Sequence, residues 1–395
     1  MRILVLSTWF PYPLSQGSKI RAYYLIKSLA QKHEVALLAF EDTALEAGWI
    51  AHLEQICREV EVVRHNPFTR SRSKTLLGWL STKPSVALTS YSPEMAARVR
   101  RLAADWKPQR VLAFTFVAAP YALQARPVPK IVDIDNLMSP MLHQTYREAQ
   151  NPVGRLRAWL AHRKFQGYEK WLYRQFDLGL VVSDHDRQTA IDLIGMQPNQ
   201  VGIVPNGVDT SFHQPLAIEP KAGTLVFNGA ITYTANYDAV DYFLREIFPA
   251  IRAQVPEAHL TITGATGGAS ISALSANGHV TFSGYLADIR PTVAGSWVCV
   301  VPLRIGGGTR LKILQAMALG TPVVSTSKGA EGLDVEDGNH LLIGDTPDEF
   351  AAQTVRVLRD AGLRKSLATR AARLVKERYD WADIGRRFCE LMESI

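Results

Sequence analysis

The most informative chemistry lies in three consecutive glycines, Gly306, Gly307 and Gly308, followed at once by Thr309, Arg310 and Lys312. Glycine removes the side chain that would hold an anion away from backbone N–H groups, and a helix starting at Thr309 adds about half a positive charge at its first turn. Cations in that turn oppose the helix dipole, so a bound phosphate or pyrophosphate explains Arg310 and Lys312 better than helix stability does. A glycine turn beside two solvated basic residues is the plainer alternative. Arg would bring a bidentate fork and Lys a compact point charge.

Such a loop needs a strand before it and a helix behind it. Val298 to Val301 is the apolar strand, Thr309 the expected N-cap, and Gly320 the stop after ten residues of good helix propensity. On that helix Leu311, Leu314, Met317 and Ala318 form one stripe, with Lys312, Gln315 and Leu319 on the neighbouring face. The same alternation fills the chain. Strands are expected at Ile3 to Ser7, Val35 to Ala39, Glu61 to Arg64, Val111 to Phe114, Lys130 to Ile134, Leu178 to Val182 and Val201 to Val204. A second series is expected at Thr224 to Asn228, His259 to Thr263, Val280 to Ser283, Val298 to Val301 and Pro322 to Ser325. Helices fall between them, at 18–31 with Ile20, Tyr24, Leu25, Ile26 and Leu29 facing inward, at 239–253, and throughout 348–395.

These runs describe an α/β chain of two doubly wound parallel sheets, with strand ends facing across a cleft. The expected division is a first domain over 1–210, a Pro215- and Pro220-bearing linker, a second domain over 223–375, and a helical end, 376–395, packing back on the first domain. A length of 395 residues suits two domains, and 47% hydrophobic with 21% charged residues excludes disordered, collagen-like and coiled-coil classes. Cys57, Cys299 and Cys389 form no CxxC pair, so neither disulfides nor zinc are suggested and a reducing cytoplasm is expected. No stretch approaches the roughly 18 apolar residues of a membrane span, so a soluble protein is expected.

Several motifs together resemble the retaining glycosyltransferases of the GT-B type, family 4 (glycosyl transferases group 1), a large bacterial group. They are Phe10-Pro11-Tyr12-Pro13 through Gly17 and Arg21, Pro205-Asn206-Gly207-Val208-Asp209, Asn236-Tyr237-Asp238-Ala239-Val240, Gly284-Tyr285, the glycine–basic–helix segment, and Lys328-Gly329-Ala330-Glu331-Gly332-Leu333. The resemblance implies a GT-B fold of two Rossmann-like domains, the first holding the acceptor and the second a nucleotide-diphosphate sugar. It implies metal-independent transfer of a hexose, with retention, to a hydroxyl of a saccharide or lipid-linked saccharide in polysaccharide biosynthesis. By the same resemblance Arg310 and Lys312 are catalytic, stabilising the departing diphosphate. Donor binding falls to Gly17, Asn236, Gly284, Tyr285, Leu286, Gly306, Gly307, Gly308, Thr309, Gln315 and Glu331, and acceptor binding to Arg21, Asp135 and Asn136. No cofactor beyond the donor and no nucleic-acid partner is expected.

One departure stands out. The family usually carries two glutamates eight positions apart, where this chain has Gly307 and Gln315. A subset of the family shares the triple glycine. Gln315 can still accept from one ribose hydroxyl and donate to another, without charge assistance. This keeps a non-catalytic saccharide-binding protein open as an alternative, beside a nucleotide-sugar 2-epimerase, which shares the architecture. Asp133-Ile134-Asp135 has the spacing of a metal-binding signature but reads as a strand-end loop.

The basic excess belongs wholly to residues 1–210, with 26 Lys and Arg against 18 Asp and Glu. Two stretches interleave it with apolar residues: Arg64 to Leu80, including Arg70, Arg72, Lys74 and Trp79, and 155–174, including Arg155, Arg163, Lys170, Trp159 and Trp171. Both suit an anionic membrane face or a lipid-diphosphate acceptor, and equally an ordinary basic surface, so peripheral attachment at the inner membrane face is a further expectation.

Overall fold

The structure, a computed structural model, describes residues 1–69, 81–267, 278–306 and 308–395. Gly307 and the 70–80 part of the first basic stretch lie outside the described residues. The chain forms two compact units, Met1–Pro205 with Ile384–Ile395, and Asn206–Asp383.

In the first unit, β1 (Arg2–Ser7), β2 (Glu34–Phe40), β3 (Glu59–Val63), β4 (Arg110–Phe114), β5 (Lys130–Asp133), β6 (Leu178–Val181) and β7 (Val201–Ile203) form one sheet. Its order is β3-β2-β1-β4-β5-β6-β7, with every pair parallel. Helices cover both faces, so the inner strands read as unbroken apolar runs; Ile3, Leu4, Val5 and Leu6 are fully buried. In the second unit, β8 (Lys221–Asn228), β9 (His259–Thr263), β10 (Val280–Gly284), β11 (Ser296–Val301), β12 (Val323–Ser325) and β13 (Leu342–Ile343) run β10-β9-β8-β11-β12-β13, again all parallel. Each unit winds outward from its first strand in both directions. A crevice therefore opens at the carboxyl ends of β1 and β4 in one, and of β8 and β11 in the other.

The expected elements shift in informative ways. β8 begins at Lys221, inside the stretch read as linker, and β13 escapes notice because two residues carry no period. The helix expected over 239–253 starts at Thr234, passes through a π turn at Phe243–Ile247 and ends at Gln254. The final helical stretch is three helices, Pro347–Arg359, Ala361–Arg378 and Trp381–Glu393, with Asp360 capping the second by accepting from the Leu363 N–H.

The helix Gly17–Ala30 corrects the sequence-based face. Lys19 and Arg21 are buried while Ile20 and Tyr24 are half-exposed. Periodicity counts only apolar residues, but two carboxylates make these cations buriable. Lys19 Nζ lies 2.8 Å from Asp42. Arg21 donates from Nε at 2.8 Å and Nη2 at 2.7 Å to Asp133 and from Nη1 at 2.8 Å to the Val204 carbonyl. With its fork spent on β5 and 1% exposure, Arg21 fits a structural bolt better than the acceptor ligand expected. Arg21→Ala should therefore leave a buried, unpaired carboxylate and lower stability by about 3–5 kcal/mol in urea unfolding, with Asp133→Asn recovering part of the loss.

Candidate functional site

The crevice of the second unit is built from the ends of β8 and β11. After β11 the chain reaches Gly306 and Gly308, at φ of +105° and +76°, a region that residues with a Cβ avoid. Gly306 also lies against the helix Thr234–Tyr242, where an added Cβ would meet Ala235 at 3.3 Å. The glycines thus serve backbone shape and packing as well as access. The following helix is Leu311–Ala318, with Arg310 at the N-cap and no side-chain cap. Thr309 is not the cap expected; its carbonyl accepts from the Leu311 N–H at 3.0 Å. The reason is Arg310, which folds back on the loop, donating from Nη2 at 2.9 Å to the Gly306 carbonyl and from Nη1 to that of Gly308. This side chain closes the loop from within, and the helix begins one residue later. Ile313, Leu314, Ala316, Met317, Ala318 and Leu319 are all buried, a wider belt than one stripe.

Lys312 turns back from that helix toward β8. Its ammonium donates to Asn236 Oδ1 at 2.8 Å and lies 4.1 Å from the centroid of the Phe227 ring. Asn236 is fixed in turn by donating from Nδ2 to the Ala230 carbonyl at 2.8 Å. Gly229 leaves the room for this pair, since a Cβ there would lie 2.7 Å from both Lys312 Nζ and Asn236 Nδ2. Burial pushes the Lys312 pKa down to about 7, with Arg310 adding to the fall and Cys299 opposing it. Burial also lowers Arg310, against the opposing pull of Glu331 and Tyr233. Two cations stripped of water beside each other are costly, and a bound anion would relieve both penalties.

The side chains beside the pair on β8 and β9 are neutral. Thr263 donates to Asn228 Oδ1 at 2.8 Å, which orients the Asn228 amide so that Nδ2 donates to Gln315 Oε1 at 3.3 Å. The Gln315 carbonyl is thereby engaged, and its amide N–H groups are what it offers outward. Glu331 is exposed and accepts from Lys328 at 2.5 Å. Gly284 closes β10 at φ +69° with its carbonyl accepting from Gly264; Tyr285 beyond it is 73% exposed and Leu286 half-buried. Asn236, Gly306, Gly308, Arg310, Lys312 and Gln315 are thus brought together, with Glu331 near enough to act on Arg310. Sequence reasoning missed Phe227, Asn228, Gly229 and Thr263, whose only signal was their place at strand ends flanking the switch in winding.

Gly17, Asp135 and Asn136 belong to the first unit. Gly17 is the first residue of its helix and is exposed. Asp135 is buried at φ +54° and accepts from the Ser18 hydroxyl at 2.8 Å, while the Asn136 N–H binds the Ile134 carbonyl at 2.6 Å. Asp133 of the Asp-x-Asp triplet is committed to Arg21. Among the described residues no group of three or more His, Cys, Asp or Glu is placed to hold a metal ion, and no helix is long and apolar enough to cross a membrane.

Comparison with known proteins agrees with this architecture. Residues 15–212 match the model of Glycosyltransferase Family 4, and residues 222–360 that of Glycosyl transferases group 1. An uncharacterised 44.6 kDa protein in the cps region of Klebsiella pneumoniae is 21% identical over 96% of both chains. Among solved structures, Anabaena HepE in complex with UDP and glucose aligns over 100% of both chains with a TM-score of 0.70 and 18% identity. Sucrose-phosphate synthase from Thermosynechococcus elongatus aligns over 100% of this chain and 99% of its own with a TM-score of 0.72 and 16% identity. Two parallel sheets wound outward from their first strands, matched along their length by family models and by GT-B structures, identify the chain as a glycosyltransferase of family 4 with the GT-B fold.

Proposed function

We propose that this glycosyltransferase moves a hexose from a UDP-linked donor to a hydroxyl of a saccharide or lipid-linked saccharide, with retention and without a metal ion, in polysaccharide biosynthesis. The observation that carries this is the buried Arg310 and the half-buried Lys312, held on Asn236, beside the glycine loop at the β8–β11 crevice. Cleavage of the sugar C1–O bond leaves the electron pair on the departing diphosphate, and cations already in place stabilise that charge without reorganising. They would supply what a divalent ion supplies in metal-dependent transfer. The UDP complex of HepE supports the donor class, and the cps-region relative supports the setting.

In this reading Asn236 positions Lys312, Gln315 donates to the ribose, and the Gly284–Leu286 backbone faces the base. The N–H groups at Gly306, Gly308 and Thr309 are offered to phosphate, Glu331 steadies Arg310, and Asp135 and Asn136 hold acceptor hydroxyls. The departing phosphate takes the acceptor proton on the same face, so the carboxyl pair of retaining hydrolases, about 5 Å apart, has no task. Incubating the protein with UDP-hexoses and saccharide acceptors, with and without EDTA, and following the product by NMR tests this. The expected product keeps the donor's anomeric configuration at an EDTA-independent rate; epimerised donor, or binding without turnover, would favour the two alternatives.

The Lys312 pKa sets a pH dependence. A bound diphosphate raises it, so below about pH 7 the ammonium is already charged, whereas above it each binding event must take up a proton. UDP affinity should fall by up to about tenfold per pH unit between pH 7 and 9, with proton uptake visible by calorimetry in buffers of different ionisation enthalpy. Lys312→Met should remove that slope and lower kcat by about 100- to 1000-fold.

Peripheral attachment to an anionic membrane belongs to the same proposal. Between residues 141 and 163, across the helices Met138–Glu148 and Pro152–Tyr173, no residue is buried. Val153, Leu156 and Trp159 are 70%, 58% and 42% exposed among Arg147, Arg155, Arg157 and Arg163. The protein should sediment with vesicles containing phosphatidylglycerol and not with pure phosphatidylcholine, and Leu156→Asp with Trp159→Asp should keep it in the supernatant.

A further inference from the structure

A cavity of about 800 Å³ lies wholly within the first unit. Its walls come from the helix Ser85–Thr89 and the turn after it, the end of the helix Thr115–Ala122, and the last turns of Pro152–Tyr173. Gln124 and Arg126 immediately precede β5, and Gln175 precedes β6. The cavity therefore opens toward the amino ends of the strands, whereas Asp135 and Asn136 sit at the carboxyl ends.

Its chemistry is specific. Tyr91 and Trp171, 47% and 48% exposed, line it with aromatic rings. Tyr91 is held against Tyr121, with ring centroids 5.7 Å apart and planes inclined by 12°. Tyr121 is anchored because its hydroxyl accepts from the Ser92 N–H at 2.7 Å and donates to the Ser90 carbonyl at 3.1 Å. Trp171 is braced by Tyr168 at 5.8 Å, and the Lys83 ammonium lies 5.4 Å from its centroid. Two amides line it: Gln175 spends Nε2 on the Trp171 carbonyl at 3.1 Å, and Gln124 receives Arg100 on Oε1 at 3.3 Å, so Gln175 keeps an acceptor and Gln124 a donor. Among the described residues, Lys83 and Arg126 line the cavity and no Asp or Glu does.

A pyranose ring has a C–H face that packs on an aromatic ring and a rim of hydroxyls that pairs with amides. Cations without carboxylates add a preference for negative charge, carboxylate above all for the guanidinium fork. A lipid tail would want a continuous apolar wall, which Lys83, Gln124, Arg126 and Gln175 interrupt. We infer that this cavity is a second saccharide site, binding an acidic, uronate-bearing oligosaccharide apart from the transfer chemistry. Glycan bound there would raise the local concentration of chain ends around the enzyme. The inference stands or falls independently of the donor reaction, because it is read by binding alone.

The test titrates the intact protein with trigalacturonate, a hyaluronate tetrasaccharide and neutral maltotriose, by calorimetry and saturation-transfer NMR. At least one acidic oligosaccharide should bind saturably, at least tenfold tighter than maltotriose. Trp171→Ala and Tyr91→Ala, at half-exposed positions, should each weaken it tenfold or more with unchanged circular dichroism, and Arg126→Gln should narrow the acidic preference. Neither acidic oligosaccharide binding, binding indifferent to both aromatic variants, or loss of phosphatidylglycerol-vesicle binding in place of saccharide binding would overturn the assignment.

Discussion

Two positive charges held out of water beside a glycine loop are the constraint around which the second unit is arranged. An isolated buried cation is expensive, and two of them beside each other more so, yet each is held by a neutral oxygen. Arg310 takes the carbonyls of Gly306 and Gly308, and Lys312 takes the Asn236 amide oxygen with the Phe227 ring beneath it. Neutral oxygens hold the geometry, with Glu331 acting on Arg310 from farther off. A carboxylate in the place of Asn236 would make a stronger pair and a weaker anion site. In the proposed reaction the donor's diphosphate would relieve that penalty.

The parallel sheet makes this arrangement reachable. Winding outward from β8 places the ends of β8 and β11 side by side without a helix covering them, so Asn228, Gly229 and the loop after Val301 share one crevice although they lie far apart in the chain. The first unit repeats the plan with a different outcome. Its buried cation, Arg21, is neutralised by Asp133, which turns a charged side chain at a similar place into a brace between helix and sheet. One chain thus shows both fates of a buried guanidinium, and the partner atom, neutral carbonyl or carboxylate, decides between them.

Much of the architecture was legible beforehand because buried parallel strands are apolar on both faces and stand out from the amphipathic helices between them. What escaped depended on partners remote in sequence. Periodicity placed Ile20 and Tyr24 on the buried face of the first helix, since no local rule says that Asp42 and Asp133 will be waiting for Lys19 and Arg21. A two-residue strand such as β13 carries no pattern of its own, and Thr309 looked like a cap because residue types alone do not show that Arg310 folds back on the carbonyls of Gly306 and Gly308.

By itself the sequence determined the alternation of strands and helices, the glycine loop, the basic pair after it and the family they resemble, because each is written in neighbouring residues whose chemistry is local. Tertiary structure alone decided that Arg310 is buried against its own loop, that Asn236 and not an acid receives Lys312, that Arg21 is consumed by Asp133, and that aromatic rings from three separate segments wall one cavity. Each of those outcomes turns on which groups water can reach once distant segments have packed, and solvent access is a property of the assembled fold that no stretch of chain possesses alone.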